Sequence, residues 1–273
     1  MDPIKFWKMS GSGNDFILVD NRNGRIKDEE MGRFVERACR RRESVGADGV
    51  IFVIESKQYD FGWRFFNADG GEVEMCGNGG RCVSRFAFLE GIADDKMSFE
   101  TLVGPVSAEV KGRVVKVLMP KPGRPSMDLD IEFQPGWKSC DYLNTGVPHV
   151  VVRVDDLEAH PVRDQGRIIR YHSRFSPEGT NANFMTRIGP DLLAVRTYER
   201  GVEDETLACG TGAIASALTA SIRGRVASPV KVKTKGGEEL TIHFKRVEES
   251  FDEVWLEGNT SIIYQAQLNE EAL

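Results

Sequence analysis

Hydrophobic and polar positions along the chain form short runs that predict a protein rich in β-strands. Five such runs fall in each half, and turn signals such as Asn23-Gly24 and Gly236-Gly237 separate them. The predicted strands are Phe16–Asp20, Val50–Ile54, Trp63–Phe66, Met97–Leu102 and Val114–Leu118, followed by Val150–Val154, Phe184–Ile188, Leu193–Tyr198, Val230–Thr234 and Glu253–Leu256.

Each half also carries two helical patterns. One spans about residues 28–43 in the first half and 162–175 in the second. The other follows a cysteine-glycine motif, and at 213–222 it is small or apolar on every face, which predicts a helix buried on all sides. Its first-half counterpart is apolar except for Arg81 and Arg85. A β-rich half that encloses one buried helix predicts an α+β fold, with a mixed, barrel-like sheet curled around a central helix.

An internal repeat relates the two halves. Met75-Cys76-Gly77-Asn78-Gly79-Gly80 returns as Ala208-Cys209-Gly210-Thr211-Gly212-Ala213, at a shift of 209 − 76 = 133 residues. Other residues recur at the same shift, among them the pairs Gly13 and Gly146, Gly46 and Gly179, Glu72 and Glu205, and Gly104 and Gly237. We interpret this as a duplication in one gapless register. It predicts pseudo-symmetric domains at 1–118, completed by 262–273, and at 119–261, with the proline-rich segment 119–125 as linker.

Composition limits the functions that the chain could have. With 273 residues, 29% charged, and no apolar run of about 18 residues, it is predicted to be soluble, with no membrane partner. The first residues lack the apolar core of a signal peptide, so we expect a cytoplasmic protein. A net charge of −6 argues against a nucleic-acid partner.

The five cysteines show no C-x-x-C spacing, and their number is odd. A disulfide scaffold and a structural zinc site are therefore disfavoured, and no metal site is expected. Cys39, Cys82 and Cys140 are interpreted as small packing groups.

Cys76 and Cys209 have a different setting, because each stands in a glycine-rich turn just before a helix. There the unpaired N–H groups and the positive end of the helix dipole stabilise a thiolate and attract a carboxylate. If the two motifs face each other about a pseudo-twofold axis, one thiolate can remove a proton from a carbon while the other thiol returns one to the opposite face. That pattern suits inversion of a Cα without a cofactor. A thiol-disulfide switch is the second chemical interpretation, and for a single motif a purely structural turn is the simpler one.

Further motifs stand in a fixed order around the two cysteines. They are Gly11-Ser12-Gly13-Asn14-Asp15-Phe16, Phe66-Asn67-Ala68-Asp69-Gly70, Pro148-His149, Gly179-Thr180-Asn181 and Tyr198-Glu199-Arg200-Gly201. With them the whole chain resembles the diaminopimelate epimerase family. The resemblance implies interconversion of LL- and meso-diaminopimelate without cofactor, in the pathway to lysine and to peptidoglycan precursors.

The resemblance also implies roles for single residues. Cys76 and Cys209 would be the acid/base pair, and His149 and Glu199 would tune the two thiols. Tyr264 matches a tyrosine linked with dimer formation, so a homodimer is expected. The substrate-binding residues at the reacting carboxylate would be Gly77, Asn78, Gly210 and Thr211. Those at the distal amino-acid end would be Asn14, Asn67, Asn181 and Arg200. Glu199 would also bind substrate.

Two positions depart from the family pattern. Val147 stands where many members have asparagine before Pro-His, and Gly49 where some have glutamine after the aspartate. Fewer polar contacts to the distal end are therefore expected. A proline or hydroxyproline racemase-like epimerase is the nearest alternative, but those proteins typically have histidine directly after the first Cys-Gly, where this chain has Asn78. A non-catalytic amino-acid-binding module is the third alternative.

Overall fold

The computed structural model describes residues 3–132 and 134–273. The chain divides into two compact units: the first runs to Val117 and takes in Gly258–Leu273, and the second is Leu118–Glu257. The sequence prediction places these boundaries at 118/119 and 261/262. Within the described residues, no helix is both long and apolar enough to cross a membrane.

The first unit contains two helices and the first eight strands of the chain. Its elements are β1 (Ile4–Gly11), β2 (Asn14–Asp20), α1 (Asp28–Ala38), β3 (Gly49–Ile54), β4 (Phe61–Asn67), β5 (Glu72–Val73), α2 (Gly77–Leu89), β6 (Lys96–Thr101), β7 (Gly104–Lys111) and β8 (Val114–Leu118).

The second unit repeats this order of elements. It contains β9 (Trp137–Asn144), β10 (Pro148–Val154), α3 (Val162–Arg170), a 3-10 helix (Ser173–Phe175), β11 (Asn181–Gly189), β12 (Leu192–Glu199), β13 (Asp204–Thr206), α4 (Gly210–Ile222), β14 (Val230–Lys233), β15 (Glu239–Val247) and β16 (Ser250–Asn259). The chain then returns to the first unit as β17 (Ser261–Leu268), which pairs with β1 and is followed by a 3-10 helix (Glu270–Ala272).

The sheets of the two units have the same pairing pattern. In the first, β1–β2 is antiparallel, β2–β3 parallel, β3–β4 antiparallel, β4–β6 parallel and β6–β7 antiparallel. In the second, the pairing is again alternately antiparallel and parallel, in the order β9–β10, β10–β11, β11–β12, β12–β14 and β14–β15. The sheets are mixed, as the α+β prediction requires.

One helix in each unit is packed against several strands of its own sheet. Helix α2 contacts β1, β2, β3 and β7, and helix α4 contacts β9, β10, β11, β12, β14 and β15. Ten of the thirteen residues of each helix are buried. Burial of nearly the whole circumference explains why the α4 sequence lacks a polar face.

The repeat is not gapless throughout. Phe16 pairs with Gly49 across β2 and β3, whereas its counterpart His149 pairs with Asn181 across β10 and β11. The shift is thus 149 − 16 = 133 on one strand and 181 − 49 = 132 on the next. The prediction of a single register was wrong by one residue here, because a short loop absorbs the difference before β11.

Several predicted boundaries also change. Helix α1 ends at Ala38 instead of about residue 43, because the chain turns back through a Gly46 N–H bond to the Ala38 carbonyl, with Arg42 and Gly46 at positive φ. Helix α3 ends at Arg170 instead of about residue 175. The prediction omitted the longer strands β1, β7, β9, β15 and β17 and the short strands β5 and β13.

Candidate active site

Cys76 caps the N-terminus of α2. Its backbone is extended (φ −143°, ψ 116°), and its Sγ accepts a hydrogen bond from the Gly79 N–H at 3.4 Å. The side chain is partly buried. In any helix the first N–H groups lack an intrahelical acceptor, so those of Gly77 and Asn78 are available beside this sulfur. The N-terminus of α2 can therefore stabilise negative charge on Sγ and hold a carboxylate next to it.

The side chains of Asn14 and Asn78 belong to one chain of hydrogen bonds beside Cys76. Asn14 Nδ2 donates to Asp48 (3.1 Å), and Asn78 Nδ2 donates to Asn14 Oδ1 (2.7 Å). Arg81 Nη2 then donates to Asn78 Oδ1 (3.0 Å) and to the Ser12 hydroxyl. The carboxylate at one end and the guanidinium at the other fix both amide orientations, so each asparagine keeps one further N–H with which to bind an acceptor.

A charged cluster holds Asp48 in place. Arg41 bridges Asp48 (2.9 Å) and Asp15 (2.6 Å), and the buried Lys8 lies 2.8 Å from Asp15. Burial raises the pKa of Asp15, but the bonds from Arg41 and Lys8 outweigh it and lower that pKa to about 2. Asp15 is therefore ionised at neutral pH, and the cluster anchors the turn that carries Asn14.

Asn67 and Gly49 lie opposite each other on β4 and β3. Asn67 is exposed, and its backbone closes a turn with Gly70 and Gly71. A Cβ at Gly49 would lie 2.4 Å from the Phe66 carbonyl oxygen and 2.7 Å from the Phe65 ring. The space that a side chain at position 49 would need is thus filled, which gives the departure at Gly49 a structural basis.

Cys209 caps α4 in the same extended conformation as Cys76 (φ −128°, ψ 109°). Its Sγ lies 3.5 Å from the Thr211 hydroxyl, and the Thr145 hydroxyl donates to the Thr211 carbonyl at 3.2 Å. Gly210 and Thr211 therefore form a second helix N-terminus that is built to face an anion.

His149 lies on β10 and is fully buried. Its Nδ1 is 3.0 Å from Asn183 Nδ2, and Asn183 Oδ1 accepts from the Thr197 hydroxyl at 2.9 Å. Burial, reinforced by the charge of Arg200, lowers the pKa of His149 to about 3. The ring is therefore neutral throughout the physiological range.

Acid should destabilise the protein partly through His149. The folded pKa of this residue lies below its ordinary value of 6.5, so its contribution to stability is complete above about pH 6.5 and falls as the pH drops towards 3, by up to about 1.4 kcal/mol per pH unit. We expect the free energy of unfolding, measured in urea, to fall more steeply over this window in the wild type than in a His149→Gln variant. Identical slopes would contradict the neutral, buried state.

Asn181 and Arg200 are joined through the backbone. Asn181 Nδ2 donates to the Pro148 carbonyl (3.0 Å), and its Oδ1 accepts from the Arg200 N–H (2.8 Å). The Arg200 guanidinium donates to the Glu178 carbonyl (3.2 Å) and lines a pocket of about 450 Å³ within the second unit. Next to it in sequence is Glu199, whose pKa is raised by burial.

A side chain at Gly212 would overlap neighbouring atoms. A Cβ there would lie 2.1 Å from Asn183 Oδ1 and 3.3 Å from Cys209 Sγ. We expect Gly212→Ala to lower the free energy of unfolding by about 2 kcal/mol, since Asn183 must be displaced. Gly79→Ala is the matched control at the equivalent position of α2, where the nearest atom is a methyl group of Ile51 at 3.1 Å. Equal losses in chemical denaturation would contradict this account.

The structure assembles two groups of the predicted residues, one in each unit. In the first, Cys76, Gly77, Asn78 and Asn14 lie together, and Asn67 ends β4, which is separated from β2 by β3. In the second, Cys209, Gly210 and Thr211 form one end of α4, and His149, Asn181, Glu199 and Arg200 lie on β10, β11 and the end of β12. Tyr264 is separate, on β17, where its ring packs edge-on against Phe6.

Sequence reasoning missed four residues that hold these groups in place: Ser12, Asp48, Arg81 and Asn183. Arg81 was noted only as an arginine on an apolar helix, yet it is fully buried. Asn183 is equally buried on β11, between the buried Ala182 and Phe184. A polar residue among apolar neighbours is the sequence signal that could have identified Arg81 and Asn183.

Comparisons with known proteins agree with this arrangement. The family model for diaminopimelate epimerase matches residues 6–124 and 142–262. A diaminopimelate epimerase from Aquifex aeolicus is 45% identical, with 99% of each chain covered. One from Archaeoglobus fulgidus is 44% identical, with 98% of each chain covered.

Solved structures with lower sequence identity share the fold. A phenazine biosynthesis protein of the PhzF family from Bacillus anthracis matches with a TM-score of 0.75 at 17% identity, covering 98% of this chain and 100% of that one. A hydroxyproline epimerase from Agrobacterium vitis matches with a TM-score of 0.70 at 15% identity, covering 98% and 93%.

Proposed function

The chain belongs to the diaminopimelate epimerase family, and from this premise we propose that Cys76 and Cys209 are the acid/base pair of its reaction. That reaction is the interconversion of LL- and meso-diaminopimelate. The observation that carries the assignment is that each cysteine is the N-cap residue of the buried helix of its own repeat, in the same extended conformation and beside the same glycine-rich first turn.

The proposed reaction moves one proton off Cα and another onto it. One cysteine, as thiolate, removes the α-proton, and the electron pair is delocalised into the α-carboxylate. The other cysteine, as thiol, then donates a proton to the opposite face. The amides of Gly77, Asn78, Gly210 and Thr211 bind the carboxylate as its negative charge grows, which lowers the barrier. After one turnover the protonation states of the thiols are exchanged, so the reaction runs in both directions.

The remaining polar residues are proposed to bind the distal amino-acid end. Asn14 has one amide N–H to offer, because its other hydrogen bonds are committed to Asp48 and Asn78. Arg200 supplies the positive charge that a distal carboxylate requires. Asn67 adds a polar side chain at the exposed end of β4. Asn181 acts here mainly by holding the Arg200 backbone.

His149 and Glu199 are proposed to tune the thiols. Burial keeps His149 neutral and raises the pKa of Glu199. In this proposal a neutral His149 ring offers an N–H to a neighbouring anion, and a hydrogen bond to a thiolate favours the charged form of the cysteine.

The setting of the reaction is proposed to be the cytoplasm, in the synthesis of lysine and peptidoglycan precursors. The two-thiol reaction needs neither pyridoxal phosphate nor another cofactor, because the acid, the base and the carboxylate-binding amides all belong to the chain.

The experiment that tests the function is a substrate panel. Purified, reduced protein is incubated with LL-diaminopimelate, L-lysine, L-proline or trans-4-hydroxy-L-proline, and the products are separated by chiral chromatography. We expect conversion of LL- to meso-diaminopimelate without added cofactor, and little change in lysine, because lysine lacks the distal carboxylate. Conversion of proline or hydroxyproline alone would favour the racemase-like alternative, and no conversion of any substrate would favour a binding module.

We also propose that β17 contributes to a homodimer. Ile262, Ile263 and Tyr264 are 37%, 54% and 42% exposed, which places three large apolar side chains in sequence on one strand. Light scattering after size exclusion should give twice the chain mass for the wild type and the monomer mass for Tyr264→Asp. Ile188→Asp is the control, since Ile188 is similarly exposed (49%) but lies in the other unit. A monomeric wild type would contradict the proposal.

A further inference from the structure

The orientation of the Asn183 side chain is fixed by two neighbours. Its Nδ2 lies 2.9 Å from the Val150 carbonyl oxygen, which can only accept a hydrogen bond. Its Oδ1 lies 2.9 Å from the Thr197 hydroxyl, which donates to it. Turning the amide over would set two oxygens against each other at Val150. The NH₂ group of Asn183 therefore points to β10, and both of its hydrogens are available there.

This orientation decides which ring nitrogen of His149 carries the proton. One Asn183 hydrogen is used by Val150, and the other points at His149 Nδ1, which lies 3.0 Å away. Nδ1 must then be the acceptor. Since burial and the nearby Arg200 charge keep the ring neutral, its single proton lies on Nε2.

The Nε2–H group is a buried donor that the second unit does not use. Nε2 is inaccessible to solvent, and within residues 3–132 and 134–273 it has no hydrogen-bond acceptor. An unpaired buried donor costs about 1–3 kcal/mol, so proteins rarely keep one without a purpose. The group is suited to an acceptor that is present only when substrate is bound or during turnover.

We propose that Asn183 is a positioning residue that locks His149 in its Nε2–H tautomer, so that His149 donates a hydrogen bond to an anionic acceptor and never takes a proton from a thiol. The inference rests on the proposed function, in which His149 tunes the acid/base pair. The inference goes further by specifying the role of His149, which donates a hydrogen bond to negative charge and does not act as a base.

The atoms packed around the Asn183 side chain explain why its orientation, and with it the tautomer of His149, is fixed. Asn183 Oδ1 lies against Gly212, in the first turn of α4 after Cys209, so closely that even a Cβ there would overlap it. The amide is thus wedged between β10, β12 and α4. Any loss of its orientation would disturb both His149 and the helix N-terminus at Cys209.

The tautomer can be measured without turnover. Protein labelled with ¹⁵N-histidine is examined by long-range ¹H–¹⁵N correlation, with His149→Gln to assign the signal. We expect the pattern of a neutral ring protonated on Nε2, unchanged between about pH 5.5 and 9. An Nδ1–H pattern, or an imidazolium forming in that range, would overturn the proposal. Because no substrate is needed, this outcome is independent of whether the protein epimerises diaminopimelate.

Asn183→Asp tests the positioning role, since it replaces the NH₂ donor with a carboxylate of the same shape. His149 Nδ1 must then be protonated to keep its bond, so the NMR pattern should change and kcat should fall by about 10²-fold. Thr197→Val is the control, because it removes only the bond to Oδ1 and should keep the Nε2–H pattern. An Asn183→Asp variant with the wild-type pattern and kcat would contradict the proposal, and the wild-type spectrum decides the case if this variant does not fold.

Discussion

Replacing either Cys76 or Cys209 with alanine is expected to abolish epimerisation, with a loss in kcat of roughly 10³- to 10⁴-fold. Inversion at Cα needs a base on one face and an acid on the other, and in the proposed reaction each thiol serves one face. The two variants should fail in complementary ways: each should still exchange the α-proton of one stereoisomer with solvent, because its remaining cysteine can remove and return a proton on one face. Chiral chromatography measures the first effect and NMR in D₂O the second.

Cys140→Ala is the matched control for these variants. Cys140 is fully buried, and burial raises its pKa to about 12, so its thiol is inert at neutral pH. Its loss should reduce stability slightly and leave kcat within a few fold of wild type. Substantial epimerisation by Cys76→Ala or Cys209→Ala would show that two thiols are not required, and the assignment of both residues would be wrong.

Arg200→Met is expected to reduce kcat/KM for diaminopimelate by about 10²- to 10³-fold, mainly through KM. The loss corresponds to removing a charge-assisted bond to a carboxylate, worth about 3–4 kcal/mol when the partner is left unpaired. The turn itself should survive, because Asn181 holds the Arg200 backbone N–H and not the guanidinium. The preference for diaminopimelate over lysine should shrink by a similar factor, since only diaminopimelate has a distal carboxylate to lose.

Arg174→Met is the control for this prediction. Arg174 lines the same pocket of the second unit as Arg200, and it bonds the Asp130 carbonyl. If the substrate were attracted only by the overall positive charge of the pocket, Arg174→Met and Arg200→Met should raise KM by similar amounts. If Arg200 binds the distal carboxylate directly, only Arg200→Met should do so. An unchanged preference over lysine in Arg200→Met would contradict the assignment.

The position of the two cysteines at helix N-termini could be predicted from sequence, because it depends on local geometry. A cysteine in a glycine-rich turn before an apolar helix can only be an N-cap, and Cys76 and Cys209 are both N-caps. The α+β fold with one buried helix in each repeat was confirmed as well. These features follow from periodicity and helix capping, which act over a few residues.

The residues that orient the site could not be predicted, because their roles depend on tertiary contacts. Asn183 matters through neighbours on β10 and β12, and Arg81 through Ser12, 69 positions earlier in the chain. The one-residue change of the repeat offset at Asn181 also depends on tertiary contacts, because it is visible only in the strand pairing. The repeated glycines on either side keep the offset of 133 and therefore give no sign of it in the sequence. A polar residue among apolar neighbours in the sequence indicates that a buried polar contact exists, but it does not show which residue is the partner.

The duplication gives the two repeats one scaffold with different supporting groups. At the equivalent first turns, Asn78 is tied to Arg81 and Asn14, whereas Thr211 is tied to Thr145. The hydrogen-bond network at α2 thus includes the charged groups Asp48 and Arg81, whereas the side chains at the first turn of α4 are the neutral Thr145, Thr211 and Asn183. Since a two-base epimerase needs one thiolate and one thiol at a time, this difference suits groups that act in alternation.

The central claim, that two thiols act on opposite faces of one Cα, is tested most directly by isotope incorporation in D₂O. Reduced protein is mixed with LL-diaminopimelate, and early time points are analysed by NMR and mass spectrometry. The account predicts that newly formed meso isomer carries deuterium at the inverted Cα from the first turnovers, while unreacted LL isomer keeps its α-proton. Transfer of the original α-proton into the product would indicate a single base that serves both faces, and would contradict it.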